Sequence, residues 1–263
     1  MQSLRFSIVT LSYNQSRFLP DCLASVTGQV YPDLQYIVVD PGSTDGSREL
    51  LAQHRDAIDH LILEPDAGPA DGLNKGFAAA DGDIFGYVNA DDRLLPGTLK
   101  RVAALFREQP DTDVLTGAIR IIDADGRPGL RKRTSDLFDP RRYVAGICTV
   151  NQQATFFRRE AFVRAGGFNP DNRIAWDGEL LLDMALAGCR FRTVDRLLGD
   201  FRVYPGTITD GATYRDRLAQ DIARQARKLE SSGVSCHPSW QVPILRLGYK
   251  ADLLRHLRYF TVS

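Results

Sequence analysis

The first 110 residues alternate short apolar runs with segments of helical periodicity, and no other feature limits the fold as much. FSIVTL (6–11), LQYIVVD (34–40), HLIL (60–63) and IFGYVN (84–89) read as strands. Between them, Arg17 to Val26 places Phe18, Leu19, Cys22, Leu23 and Val26 on one helical face. Further helices are expected over Ser47–Ala57, with Ser47 as N-cap, over Ala70–Ala80, and after Pro96, where Leu99, Val102, Leu105 and Phe106 form the apolar stripe. Runs that are apolar throughout suit strands covered on both faces, and their succession with helices implies a mostly parallel sheet. After Pro110 the rhythm changes. Val114–Ile122 leading to Asp125-Gly126 reads as a strand entering a hairpin, and Ala154–Arg158 as another strand. Glu160–Ala165 reads as a short helix broken by Gly166-Gly167, and Asp177–Ala187 as a longer one. From about Tyr214 the chain reads as helical, punctuated by Pro238 and Pro243.

Several function classes are disfavoured at once. Lys+Arg and Asp+Glu are both 33 in 263 residues, so no global field recruits nucleic acid. Cys22, Cys148, Cys189 and Cys236 are widely spaced, which fits reduced thiols in a cytosolic protein better than a disulfide framework or a zinc site. There is no basic-then-apolar leader pattern at the N-terminus, and no run approaches the ~18 apolar residues of a membrane span. The expectation is a cytoplasmic protein, soluble or at most peripheral on the membrane.

In an open parallel sheet, ligands bind beyond the carboxyl ends of the strands. Those ends carry Ser12-Tyr13-Asn14, Asp40, Glu64-Pro65-Asp66 and Asn89-Ala90-Asp91-Asp92. A single acid in such a place is ordinarily a cap or a turn residue; four polar ends on one rim exceed what capping requires. The loop Leu11–Ser16 contains no glycine, which excludes a dinucleotide fingerprint or a P-loop there. What is left is an acidic cleft suited to a divalent cation that neutralises a diphosphate.

The segments SIVTLSYNQ, VVDPGSTDGS, EPDAGPADGLNKGF and GYVNADD, in that order, resemble the inverting glycosyltransferases of family 2 over residues 5–210. The resemblance implies a GT-A fold: α/β, a Rossmann-like mostly parallel sheet flanked by helices, here with a C-terminal helical extension. It divides the chain into a domain of residues 1–212 (1–110 for the nucleotide sugar, 111–212 for the acceptor) and an extension of residues 213–263. It also implies that Leu11 to Asn14 hold the base with Tyr13 beside the ring, that Asp40 binds base or ribose, and that Asp66 and Lys75 line the sugar pocket. Lys75 alone reads equally as a solvated lysine on a helix face. Asp91 would lie near ribose and metal, with Asp92 the principal ligand of Mn²⁺ or Mg²⁺. Ala175-Trp176-Asp177-Gly178-Glu179-Leu180 aligns with the segment supplying the general base. Asp177 takes that role, Glu179 is the second choice, and Trp176 replaces a usual Glu. Gln152 and Gln153 are either ligands for sugar hydroxyls or turn residues. Tyr204 stands where a family His often assists at the metal, and Arg202 is a candidate phosphate contact.

The function so implied is inverting, metal-dependent transfer of one hexose-type sugar from a nucleotide diphosphate sugar. UDP is the expected nucleotide, and a glycan or lipid-linked acceptor in cell-surface polysaccharide assembly the expected partner. A Q-x-x-R-W motif is absent, which favours a single transfer over polymerisation. The alternative, suggested by Trp176 and Tyr204, is a non-catalytic sugar-nucleotide-binding scaffold. A nucleotidyltransferase would want a Gly-rich basic loop where Ser12-Tyr13-Asn14 stands. In the tail, Val242–Phe260 interleaves Ile244, Leu245, Leu247, Leu253, Leu254, Leu257 and Phe260 with Arg246, Lys250, Arg255 and Arg258. Such a helix can lie on an anionic membrane surface, pack on the domain, or form a homodimer interface.

Overall fold

The computed structural model describes residues 3–206, 214–237 and 241–256. Strands β1 (Phe6–Leu11), β2 (Leu34–Val39), β3 (His60–Ile62) and β4 (Ile84–Asn89) are all parallel, in the order β3-β2-β1-β4. They are joined by α1 (Leu19–Thr27), α2 (Ser47–Gln53) and α3 (Pro69–Ala78). Beyond β4 come β5 (Arg93–Leu94), α4 (Thr98–Glu108), the hairpin β6 (Val114–Ile122) and β7 (Pro128–Thr134), and α5 (Pro140–Val144). Then follow β8 (Thr155–Arg158), α6 (Arg159–Ala165), α7 (Trp176–Leu186), β9 (Phe191–Arg202), α8 (Tyr214–Ser231) and α9 (Gln241–His256). The sheet continues from β4 as β8-β6-β9-β5, with β7 paired to β6. Strand β8 is antiparallel to β4 and β6, β9 is parallel to β6, and β5 is antiparallel to β9.

The period of two along each strand sorts side chains into two cores. Phe6 and Ile8 of β1 and Val38 of β2 face the layer of Leu19, Leu23, Val102 and Phe106. Val9, Ile37 and Val39 face the layer of Leu73, Phe77, Phe157 and Leu180. Each such side chain withdrawn from water contributes about 1.5–3 kcal/mol, so the doubly covered strands anchor the molecule and hold their carboxyl ends in place.

The structure departs from expectation in four places. Ser47 is not the cap of α2: Gly46 holds that position at φ 95°, and Ser47 Oγ instead donates to Asp45 Oδ1 at 2.6 Å. Helix α4 starts at Thr98, after a turn at Pro96 and Gly97. Strands β5 and β9 were not anticipated, because β9 carries Arg192, Asp195, Arg196, Asp200 and Arg202. Its register sets Asp200 beside Arg120 of β6 and Arg93 of β5, so charge pairing replaces the apolar alternation that marks other strands. Helix α8, the start of the expected extension, is embedded in the domain. Its Leu229 is fully buried, Arg224 and Lys228 pair with Glu179 of α7, and Asp221 Oδ2 accepts from the Ile174 N–H at 3.1 Å.

Helix α9 docks on the same body. Arg246 Nε donates to the Ala145 carbonyl at 2.8 Å, and the Tyr249 hydroxyl reaches Asp136 and Thr149. Ile244 and Leu247 point outward. The tail positions Leu257, Arg258 and Phe260 lie outside the described residues. Among the described residues no helix is long and apolar enough to cross a membrane, and the four cysteines are free thiols.

Candidate active site

The loops after β1 and β2 are fastened to each other and form one wall of the rim. Asn14 adopts φ 52°, a left-handed conformation that Asn tolerates better than most residues. From there its N–H donates to Ser43 Oγ at 2.8 Å, and its Oδ1 accepts from the Thr44 N–H at 2.9 Å. The Ser16 N–H donates to Asp45 Oδ2 at 2.8 Å. Tyr13 is thereby left projecting, 59% exposed. Leu11 closes β1 between Val39 and Asn89, and its carbonyl accepts from the Ala90 N–H at 3.0 Å, tying this wall to the turn after β4.

Asp40 is fully buried beneath these loops. Its carboxylate accepts from Ser12 Oγ, the Gly42 and Ser43 N–H groups, Ser43 Oγ and Arg48 Nε. Burial pushes its pKa up, but the bonds from Ser43 and Arg48 outweigh that and hold it below the ordinary value. Expected as a base or ribose contact, Asp40 spends its lone pairs on shaping the loop. At the third strand end, Asp66 is half-buried and accepts from the Gly68 N–H at 2.9 Å, with burial raising its pKa. Lys75 bonds the Pro65 carbonyl and lies 3.4 Å from Asp71, so its described partners belong to its own helix and the preceding loop.

Asp91 and Asp92 leave β4 in a tight turn closed by the Asp92 N–H and the Asn89 carbonyl at 2.9 Å. Their environments differ. Asp92 is 1% exposed; Oδ2 accepts from Gln153 Nε2 at 2.8 Å and Oδ1 from the Arg202 N–H at 2.9 Å. Burial, and then the charge of Asp91, push its pKa well above the carboxylate range. Asp91 is half-buried, and among the described residues only the Tyr204 hydroxyl donates to its carboxylate from another residue, to Oδ2 at 3.0 Å. Burial raises its pKa too, while Tyr204 and Arg202 hold it down. Expected as the principal ligand, Asp92 is buried with both oxygens engaged by protein donors, and the more accessible acid, with one oxygen free of such donors from other described residues, is Asp91.

That donor set fits a hard divalent ion. Two crowded, desolvated acids resist ionising together, and a cation beside them relieves the conflict. Among the described residues no three His, Cys, Asp or Glu side chains form a metal cluster. Phosphate and water would therefore supply most of the ligands, as Mg²⁺ commonly accepts.

Two residues around this turn differ from expectation. Arg202, the candidate phosphate contact, is 1% exposed and faces inward. Its Nε donates to the Asp91 carbonyl at 2.8 Å, Nη1 to the Ala124 carbonyl at 3.0 Å and Nη2 to Asp21 at 2.9 Å, with the guanidinium over the Phe18 ring. It clamps the turn that presents Asp91. Gln152 and Gln153 are likewise buried: Gln153 holds Asp92, and Gln152 Nε2 donates to the Tyr87 carbonyl.

Asp177 stands in the first turn of α7 and takes no side-chain hydrogen bond among the described residues. Burial raises its pKa, partly offset by the Gly178 N–H, by its own N–H and by the charge of Arg133. It borders a cavity of about 10 Å³ that Tyr87, Gln152 and Thr155 also line. Gly178 is required beside it, since a Cβ there would overlap the Tyr143 hydroxyl. Glu179, the second choice for a base, is fully buried and receives hydrogen bonds from Asn169, Asn172, Arg224 and Lys228. Burial opposes its ionisation, but these donors bring its pKa down to about 2, so it serves as a structural anion. Sequence reasoning missed Arg133 altogether. Arg133 stands in the exposed-looking run Arg131-Lys132-Arg133, and nothing local marks it as facing the cleft.

The glycosyl transferase family 2 model matches residues 7–166. An uncharacterized glycosyltransferase of Nostoc sp. is 26% identical over 269 residues, covering 97% of this chain and 81% of that protein. The S. aureus TarS structure in complex with UDP-GlcNAc superposes with a TM-score of 0.68 at 19% identity, over 94% of this chain and 72% of that one. The mannosyltransferase PcManGT of Pyrobaculum calidifontis, in complex with GDP-Man and Mn²⁺, gives 0.63 at 21% identity, over 96% and 71%. At such identities the two structures establish the shared fold.

Proposed function

The chain belongs to glycosyl transferase family 2 and is a glycosyltransferase, and we propose that it moves one sugar from a nucleoside diphosphate sugar to a hydroxyl acceptor with inversion at the anomeric carbon. The observation that carries this reading is the division of labour at the end of β4. Asp92 and Asp40 are buried with both oxygens bonded by protein donors, whereas Asp91 is half-buried and, among the described residues, Tyr204 alone donates to its carboxylate from another residue.

Asp91, steadied by Tyr204, would hold Mn²⁺ or Mg²⁺ against the donor diphosphate. A cation bound there would offset charge on the departing diphosphate, a contribution of several kcal/mol. The wall of Leu11, Tyr13 and Asn14, backed by Asp40, receives the base, and Tyr13 has the exposure needed to lie along it. Uridine is the expected base and guanosine the competing one, each supported by one structural neighbour. Asp66 and Lys75 flank the sugar from the β3–α3 side. Asp177 takes the acceptor proton as the acceptor oxygen bonds to the anomeric carbon. The bond from that carbon to the phosphate oxygen breaks in the same step, and the diphosphate leaves with the electron pair. The acceptor is a glycan or lipid-linked sugar at the cytoplasmic membrane surface, where the outward Ile244 and Leu247 of α9 supply a small apolar contact.

The test is a screen of UDP- and GDP-sugars with Mn²⁺ or Mg²⁺, following transfer or slow donor hydrolysis, with product stereochemistry read by NMR. Metal-dependent turnover with an inverted anomeric centre is expected. Binding of nucleotide sugar without turnover of any donor would favour the scaffold reading, and a retained configuration would remove Asp177 as base.

A further inference from the structure

Arg133 of β7 pairs opposite Ile119 of β6, and its side chain is held at two points. The guanidinium lies over the Phe201 ring, 5.3 Å from its centroid, and Nε donates to Asn151 Oδ1 at 2.6 Å. Asn151 is fully buried and fixed by its own Nδ2, which donates to the Arg133 carbonyl and to Ser135 Oγ.

Both supports belong to the walls of the site. Phe201 precedes Arg202, whose N–H holds Asp92. Asn151 opens the turn in which Gln152 borders the cavity at Asp177 and Gln153 holds Asp92. The charge of Arg133 is accordingly felt by Asp92 and Asp177 together. Even so, among the described residues it makes no ion pair, and Nη1 and Nη2 have no hydrogen-bond partner. Neither amino group is among the buried polar atoms without a partner, so both keep some contact with solvent.

A largely desolvated cation with no direct ion pair among the described residues is disfavoured, and an arriving anion would correct that. The fork of two amino groups matches oxygens of a phosphate, which a guanidinium grips in bidentate fashion. We propose that Arg133 anchors a phosphate-binding subsite between Asp92 and Asp177, additional to the cation-held diphosphate position at Asp91. This rests on the reading of Asp91 and Asp177 given above. Two sources can supply the phosphate: the diphosphate released from the donor, or a phosphate carried by the acceptor.

The experiment uses the intact protein with Mg²⁺ at constant ionic strength and follows melting temperature and calorimetric affinity. Inorganic phosphate is expected to stabilise the wild type and acetate is not. If phosphate still binds when UDP or GDP saturates the site, the subsite serves the acceptor; if it competes with the nucleotide, it serves the leaving diphosphate. Arg133→Gln is expected to weaken phosphate by about tenfold or more, with Arg133→Lys intermediate. Phosphate protection no greater than that of acetate, or equal protection of wild type and Arg133→Gln, would overturn the proposal. Should Arg133→Gln fail to fold, the wild-type arms and Arg133→Lys still decide. Failure of every nucleoside diphosphate to bind would count against the parent reading, and is measured independently of phosphate.

Discussion

Adjacent acids can have very different surroundings, and Asp91 and Asp92 show how. Asp91→Asn should abolish the metal dependence of nucleotide binding and lower transfer by about 10²–10³-fold, the equivalent of several kcal/mol, measured by calorimetry and by turnover. Asp177→Asn should leave nucleotide affinity unchanged and cut kcat by about 10²–10⁴-fold. Because burial raises the pKa of Asp177, and a base acts only when ionised, the acidic limb of kcat/KM should lie above the ordinary carboxylate range. Arg133→Gln removes a charge that favours the ionised form, so it should push that limb to still higher pH. The acidic pair was legible in the sequence because its strand and turn are local. The separate surroundings of its members were not: the donors that engage Asp92 come from positions 61 and 110 residues away. Asp40 escaped in the opposite way, its partners Ser43 and Arg48 being near but mute about geometry.

Helix α7, which carries Asp177, is held from three sides. Asn172 and Asp221 accept from the N–H groups that precede it, Gly178 admits Tyr143, and Glu179 locks it to α8. Gly178→Ala should therefore cost about 1–3 kcal/mol by overpacking, and should lower kcat by displacing Asp177, as read by denaturant melts and kinetics. Lys228→Met should cost about 3 kcal/mol, because Glu179 loses part of its counter-charge, and should lower the melting temperature by roughly 5–10 °C. Glu179 carries a folded pKa of about 2 against the ordinary 4.5. Its contribution is thus complete above about pH 4.5 and fades as pH falls towards 2, a loss of about 3 kcal/mol that Glu179→Gln should not show. Periodicity revealed α7 and the helical character of α8. That α8 braces the helix carrying Asp177 could not be read, because Asp221, Arg224 and Lys228 resemble an ordinary solvated face until their partners are known.

Across the molecule, the parallel half made by β1 to β4 follows from uninterrupted apolar runs, and the sequence pattern placed every one of its strand ends on the rim. The second half was harder to read. Strand β9 is stitched to β6 and β5 through Asp200, Arg120 and Arg93, and charges within a strand erase the signal by which strands are recognised. Yet this half delivers Arg202, Tyr204 and Gln153 to the acids of the first, so the candidate site lies where the halves meet. The account therefore turns on a divalent ion seated by Asp91 beneath the nucleotide. Crystals soaked with Mn²⁺ and a nucleoside diphosphate, measured at the manganese absorption edge, test it directly. An anomalous peak bonded to a carboxylate oxygen of Asp91 and to the diphosphate is the expected result. A peak bonded elsewhere, or nucleotide bound at the rim with Asp91 left unligated, would contradict it.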